Sequence, residues 1–402
     1  MLKTFTRLIL LQCFIFSYGQ SAKEQLEIVN SAEIIESEFY EEIAFEDKYG
    51  YFTIPVSIGA TTYQYIFDTG GYNTLTSQIL SDHKLPELMT VEVGSVNQIK
   101  SEVRLTKIPS LKIGNLEIKD VGALNLDFDA SPSIKCYTNG GLLGKSVIKN
   151  AVWQINAQDK KMIITDNISK LSNLDNAIKI KVKLDKVYNP FIKAKLNGKT
   201  YNFLLDFGFG GLLSLTEKTG KDLKTDNIVE VMGEGAAGAN GILEEPTFIK
   251  DVEHLSIGKL KLANKFAYYA KSKKYNLIGT EITKHFIVTL NFKEKELYLT
   301  PISINEAQTE KEQSTFGFSL NRNDTNVYVS NIFKGGSAEK SGLQLKDILL
   351  SINGKDDFME SSYCDFYNYF KALSDGDDDI VLIVKRGDSE ETIRIRKTKL
   401  FE

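Results

Sequence analysis

Apolar and polar residues alternate with a period of two along much of the chain, and the alternating runs recur in two ordered sets. Phe52-Thr53-Ile54-Pro55-Val56-Ser57-Ile58-Gly59 reads as a half-buried strand entering a tight turn. A second strand follows, Tyr63-Gln64-Tyr65-Ile66-Phe67, and ends at Asp68-Thr69-Gly70. The same unit returns 138 residues later as Pro190 to Asn197, then Tyr201-Asn202-Phe203-Leu204-Leu205 ending at Asp206-Phe207-Gly208. Two further blocks keep the order. Leu111-Lys112-Ile113-Gly114-Asn115-Leu116 echoes in Leu255-Ser256-Ile257-Gly258-Lys259-Leu260. Leu142-Leu143-Gly144, closing on Met162-Ile163-Ile164-Thr165, echoes in Leu277-Ile278-Gly279, closing on Leu297-Tyr298-Leu299-Thr300. Two copies of so long a unit predict a duplicated β domain; a solenoid needs a shorter period and more copies.

The ends of the chain follow other patterns. Lys3 and Arg7, the apolar run Leu8 to Ser17 and the small-residue approach Ser17-Tyr18-Gly19 read as a secretory signal over 1–19, too short in its apolar part for a membrane span. Cys13 follows Gln12, which is not small, so no lipid anchor is read there. Residues 20–44 form a polar leader with a rough helical spacing at Leu26, Val29, Ile34, Ile35 and Phe39. After the duplicated units (45–170 and 171–303), a polar linker over 304–314 leads to a third unit over 315–402. That unit holds a strand at Val327 to Ile332, a helical stretch at Ser361 to Leu373 and a final hairpin turning at Gly387-Asp388.

Composition narrows the functional classes. The 402 residues carry a net charge of −4, 42% hydrophobic and 25% charged residues, so nothing points to nucleic acid. Aromatic content of 10% with only 7 prolines favours a β-rich protein. The three histidines, His83, His254 and His285, show no metal-ligand spacing, and no metal or cofactor is expected. Beyond the signal only Cys136 and Cys364 remain; the spacing permits one bridge and does not demand it. Asp206-Phe207-Gly208 lacks every companion motif of a kinase. Gly233 to Gly238 fits a dinucleotide fingerprint by spacing but runs into Asn240-Gly241 and Pro246 rather than a helix.

An aspartate at the end of an apolar strand, delivered twice, suits a shared two-carboxylate site. Two carboxylates within about 3 Å cannot both ionise cheaply, so they share a proton. One can then take a proton from water while the other donates to a carbonyl. Ile66-Phe67-Asp68-Thr69-Gly70, with Leu142-Leu143-Gly144 and Leu277-Ile278-Gly279, resembles the aspartic peptidases of the retropepsin and pepsin type over about Phe45 to Pro301. The resemblance implies a mainly β, two-lobed pepsin/retropepsin-like β-barrel fold in which Asp68 and Asp206 are catalytic. Thr69, Gly70, Phe207 and Gly208 would support the turns, and flaps would carry Gly94 and Asn97 in lobe 1 and Gly235 and Gly238 in lobe 2. In that family the hydroxyl after each aspartate bonds across to the other lobe; Thr69 has one and Phe207 does not.

Phe316-Gly317-Phe318 followed by Gly336-Ser337-Ala338, Ser341-Gly342-Leu343, Lys346-Asp347-Ile348-Leu349 and Ile352-Asn353-Gly354 resembles a PDZ domain, an α+β unit. That implies an added-strand groove, with Phe316, Gly317 and Phe318 at the end that takes a peptide or protein C-terminus. Together these imply a periplasmic or secreted aspartic endopeptidase acting on polypeptides, with no membrane anchor and a site that a monomer can form. The rival expectation is an inactive peptidase-like scaffold that binds peptides in its cleft and PDZ groove.

Overall fold

The computed structural model describes residues 22–94, 98–302 and 314–401. The expected signal at 1–19, all of the linker but Ser314, and Asn97 lie outside the described residues. Each duplicated unit folds around the same device. In lobe 1 the hairpin Tyr51–Ile58 with Thr61–Phe67 ends at Asp68, and the short strand Gly141–Leu143 lies parallel to Thr61–Phe67, Leu143 opposite Phe67. In lobe 2 the hairpin Pro190–Leu196 with Lys199–Leu205 ends at Asp206, and Leu277–Ile278 lies parallel to it, Ile278 opposite Leu205. The equivalence reaches single hydrogen bonds. Asp68 N–H donates to Leu143 O (3.0 Å) and Asp206 N–H to Ile278 O (2.9 Å). The apolar-apolar-glycine triplets of the sequence are therefore the rails on which both aspartate turns rest.

A six-stranded sheet joins the lobes. Its two central strands, Val152–Asn156 of lobe 1 and Phe286–Asn291 of lobe 2, pair antiparallel with Trp153 opposite Leu290. Each is backed by its hairpin partner, Lys161–Thr165 and Glu296–Pro301, and the edges are Tyr40–Ala44 and Ile178–Lys181. The segment 20–44 thus supplies a strand of this sheet after helix 22–29, whose Val29 packs with Val91, Val103, Leu105 and Leu124. One continuous apolar core runs through both lobes, with Trp153 and Phe203 completely buried. Among the described residues no helix is long and apolar enough to cross a membrane.

The C-terminal unit has its own core, including Phe316, Val329, Leu349 and Ile380. The hairpin Phe318–Arg322 with Val327–Phe333 opens it, the helix Tyr363–Gly376 crosses it, and Asp379–Arg386 with Ser389–Arg396 closes it. Ser362 caps that helix by accepting from Asp365 N–H (3.2 Å), which fixes its start. Two attachments hold the unit to the lobes. The lobe 2 strand Ile228–Gly238 pairs with Val327–Phe333, Met232 opposite Ile332, so one sheet runs from lobe 2 into the C-terminal unit. Cys136 of lobe 1 is bonded to Cys364 on the helix, 228 residues away. Tyr137, beside that bond, lies edge-on to Tyr367 at 6.2 Å, and Tyr49 Oη donates to Asn368 Oδ1 (2.9 Å).

Replacing both cysteines by serine is expected to lower the guanidinium unfolding midpoint, with a loss of unfolding free energy of about 5 kcal/mol on the loop-entropy argument for so long a loop. An unchanged midpoint would show that the strand pairing and the side-chain contacts hold the unit in place without the bond.

Candidate active site

Asp68 and Asp206 meet at the lobe boundary, each carboxyl set against the other lobe's turn glycine and close enough for the pair to share a proton. The two turn glycines explain how they come so close. A Cβ on Gly70 would stand 2.7 Å from Asp206 Cγ, and one on Gly208 would stand 2.6 Å from Asp68 Cγ. Each lobe's glycine leaves the space that the other lobe's carboxylate fills. Any larger residue at either position would push the pair apart.

The support for the two carboxylates is unequal. Asp68 Oδ1 accepts from Gly70 N–H and Gly71 N–H, both at 2.8 Å. Asp206 Oδ1 accepts from Gly208 N–H alone, at 3.0 Å. Burial raises both above the ordinary carboxylate range. For Asp68 the two amides pull back against burial; for Asp206 the neighbouring Asp68 charge adds to it and carries it well above. The arrangement favours a singly charged pair with the charge on Asp68 and the proton on Asp206.

Thr69 makes the cross-lobe lock expected of it. Its buried hydroxyl donates to Leu205 O (2.6 Å) and accepts from Phe207 N–H (3.0 Å). The return lock is absent because Phe207 has no hydroxyl. Its ring is fully buried instead, edge-on to Phe52 at 6.1 Å and to Phe67 at 6.2 Å. One polar tie between the lobes has been exchanged for an aromatic contact between them, and the carboxylates remain together.

Several supports went unread in the sequence. Asn73 Oδ1 accepts from Gly144 N–H (2.6 Å) and Thr74 Oγ1 from Leu142 N–H (2.8 Å), fixing the lobe 1 rail. Thr280 Oγ1 donates to Gly50 O (2.6 Å), tying the lobe 2 rail to lobe 1. Tyr51 lies beside the pair; burial first, then Tyr367 and the two aspartates, push its phenol up to about 12. Lys145, the residue after the Gly144 rail, is buried against the same turn. Polar residues such as these alternate with nothing, so periodicity gives them no signal.

Of the residues expected in flaps, Gly94 ends the lobe 1 strand Glu87–Gly94, and Gly235 and Gly238 lie in the lobe 2 strand Ile228–Gly238. The two hairpins touch across the cleft. Asn240 Nδ2 donates to Val93 O (3.1 Å) and Ile99 O (3.0 Å), and Ser131 Oγ to Gly238 O (2.5 Å). In the C-terminal unit Phe316 and Phe318 are buried, while Gly317 takes φ +78° and donates its N–H to Thr315 Oγ1 (3.0 Å). Among the described residues, no cluster of histidine, cysteine or acidic side chains could hold a metal.

Residues 306–357 match the PDZ domain family. No curated protein matches the chain. Among solved structures, the chain is similar to the aspartic proteinase from Irpex lacteus (12% identity, TM-score 0.41, 68% of this chain and 100% of that one). It is similar over the same share to basic 7S globulin from soybean (8% identity, TM-score 0.43, 97% of that chain). A retropepsin-like aspartic protease from Rickettsia conorii overlaps 31% of this chain and 90% of its own, at 16% identity and TM-score 0.24. The strand pairings themselves show two lobes built on one repeated plan, followed by the unit that carries the PDZ match.

Two outcomes test this geometry. Phe207→Thr restores a hydroxyl but empties an aromatic site, so denaturant unfolding should show a net loss of about 3–5 kcal/mol rather than a gain. Asp206→Asn should raise the thermal midpoint at neutral pH. A carboxyl whose folded pKa is raised contributes stability below its unfolded pKa and loses it as pH rises. The gap between variant and parent should therefore close as pH falls towards the ordinary carboxylate range.

Proposed function

We propose that the chain is an aspartic endopeptidase whose single site is shared by its two lobes. The observation that supports it is the buried Asp68–Asp206 pair, fitted together by the reciprocal spaces at Gly70 and Gly208. Ionised Asp68 takes a proton from a water that attacks the peptide carbonyl. Protonated Asp206 donates to the carbonyl oxygen as it becomes tetrahedral. Asp68 suits the first role because two amides stabilise its charge, and Asp206 the second because only one does. The flap contacts at Asn240 must open for a polypeptide to enter and can close again over it.

The PDZ domain supplies a second polypeptide contact. Among the described residues, Phe318–Arg322 pairs with Val327–Phe333 on one edge, and its other edge faces the helix Tyr363–Gly376, where Phe318 and Phe370 lie 5.7 Å apart. A peptide added at that edge would lie against Asn321, whose side chain bonds both to Tyr363 Oη (2.9 Å) and to Glu234 of the lobe 2 flap (2.7 Å). Substrate held in the groove and the strand that borders the cleft are therefore in contact. An exported location fits the Cys136–Cys364 bond, which persists in an oxidising compartment.

A non-cleaving scaffold is the second reading, favoured by the missing lobe 2 hydroxyl at Phe207. The two separate on one assay. Purified chain incubated with a denatured-protein substrate from acidic to neutral pH should release peptides by mass spectrometry, with losses of about 10²–10⁴-fold in Asp68→Asn. Absence of cleavage throughout that range, with peptides still bound, would leave the scaffold.

A further inference from the structure

Lys145 has no counterpart in the other lobe. It opens the short helix Lys145–Ile148 directly after Gly144; the equivalent place after Gly279 is Thr280, a neutral residue whose hydroxyl donates to Gly50 O. Lys145 is only 2% exposed. Its ammonium donates to Asn189 Oδ1 of lobe 2 (2.7 Å), reaches Gly70 O at 3.4 Å and sits 4.2 Å from the centre of the Tyr72 ring. None of these partners is a carboxylate. Asp185 lies one hydrogen bond further out, behind Asn189. It is occupied by the amides of Val187 and Asn189 and by Asn189 Nδ2.

Burying an ammonium costs several kcal/mol unless charge compensates it. Here the compensation comes from the field of Asp68, Asp185 and Asp206, which all favour the charged form against burial. Burial lowers Lys145 to about 8, so it remains charged at neutral pH. Two further titratable groups feel the carboxylate pair: Tyr51, neutral in this range, and Lys273, which follows strand Leu260–Ala270 and also feels Glu245. Lys145 alone of the two lysines touches the turn that carries Asp68, through Gly70 O, and its own N–H donates to Gly71 O (3.1 Å).

We propose that Lys145 is a positioning residue for the carboxylate pair: its ammonium, tethered across the lobe boundary by Asn189, is the fixed positive charge that keeps one of Asp68 and Asp206 ionised. Without it, two buried carboxylates would hold both their protons to higher pH, and the pair would lack its base where the parent chain has one. The inference rests on the peptidase reading for its consequence in catalysis, but the ionisation itself can be measured without turnover.

The test compares Lys145→Gln, which keeps donors for Asn189 and loses the charge, with Lys145→Arg, which keeps the charge. Aspartate carboxyl carbons labelled with ¹³C are titrated by NMR in the full chain, with Asp68→Asn and Asp206→Asn assigning the signals. In Lys145→Gln the carboxyl midpoints should move to higher pH by about one unit. Lys145→Arg should follow the parent, and Lys273→Met should shift less. If peptide cleavage is present, the acid limb of its kcat/KM profile should move with the midpoints. Midpoints in Lys145→Gln that coincide with the parent, or an equal shift in Lys145→Arg, would overturn the proposal. Absent cleavage with shifted midpoints would sink the peptidase reading and leave the electrostatic role intact.

Discussion

Two carboxylates buried side by side repel unless a proton lies between them and the surrounding dipoles favour one charge over two. Much of the architecture around the lobe boundary meets that condition. Both lobes end a strand at an aspartate and rest the turn on a parallel rail, so the approach is set by backbone pairing. Gly70 and Gly208 leave free the space that the opposite lobe's carboxylate fills. The sheet centred on Val152–Asn156 and Phe286–Asn291 then fixes the lobes relative to one another, so a shift of either strand would be felt at the pair.

The two lobes are alike in backbone and unlike in chemistry. Lobe 1 gives its aspartate two amides, a cross-lobe hydroxyl and a nearby buried lysine; lobe 2 gives one amide and an aromatic ring. In a site made by two identical chains such differences are impossible, because each change appears twice. Fusion into one chain lets the proton and the charge have settled addresses.

The aspartate turns and rails were legible because their pattern is local and occurs twice: strand, aspartate, glycine, then apolar-apolar-glycine. The chemistry between lobes was less so. Phe207 reads in the sequence as a lost hydroxyl, and only packing against Phe52 and Phe67 shows what the ring contributes. Lys145 and Asn189 belong to different repeats and meet only when the lobes close. The strand Ile228–Gly238 carries three glycines and little alternation, so nothing in it announces a partner in the PDZ domain. The PDZ resemblance rested on a long ordered motif and is matched at 306–357.

The Cys136–Cys364 bond turns the chain from a line into a ring with two tails. All of lobe 2 lies inside that ring, between a cysteine near the end of lobe 1 and one on the last long helix. During synthesis Cys136 must therefore wait as a free thiol until lobe 2 and most of the PDZ domain have emerged. Once the ring is closed, a single nick anywhere between the two cysteines leaves one covalent molecule. The lobes and the PDZ domain thus stay joined after a cut that would separate an unbridged chain into fragments.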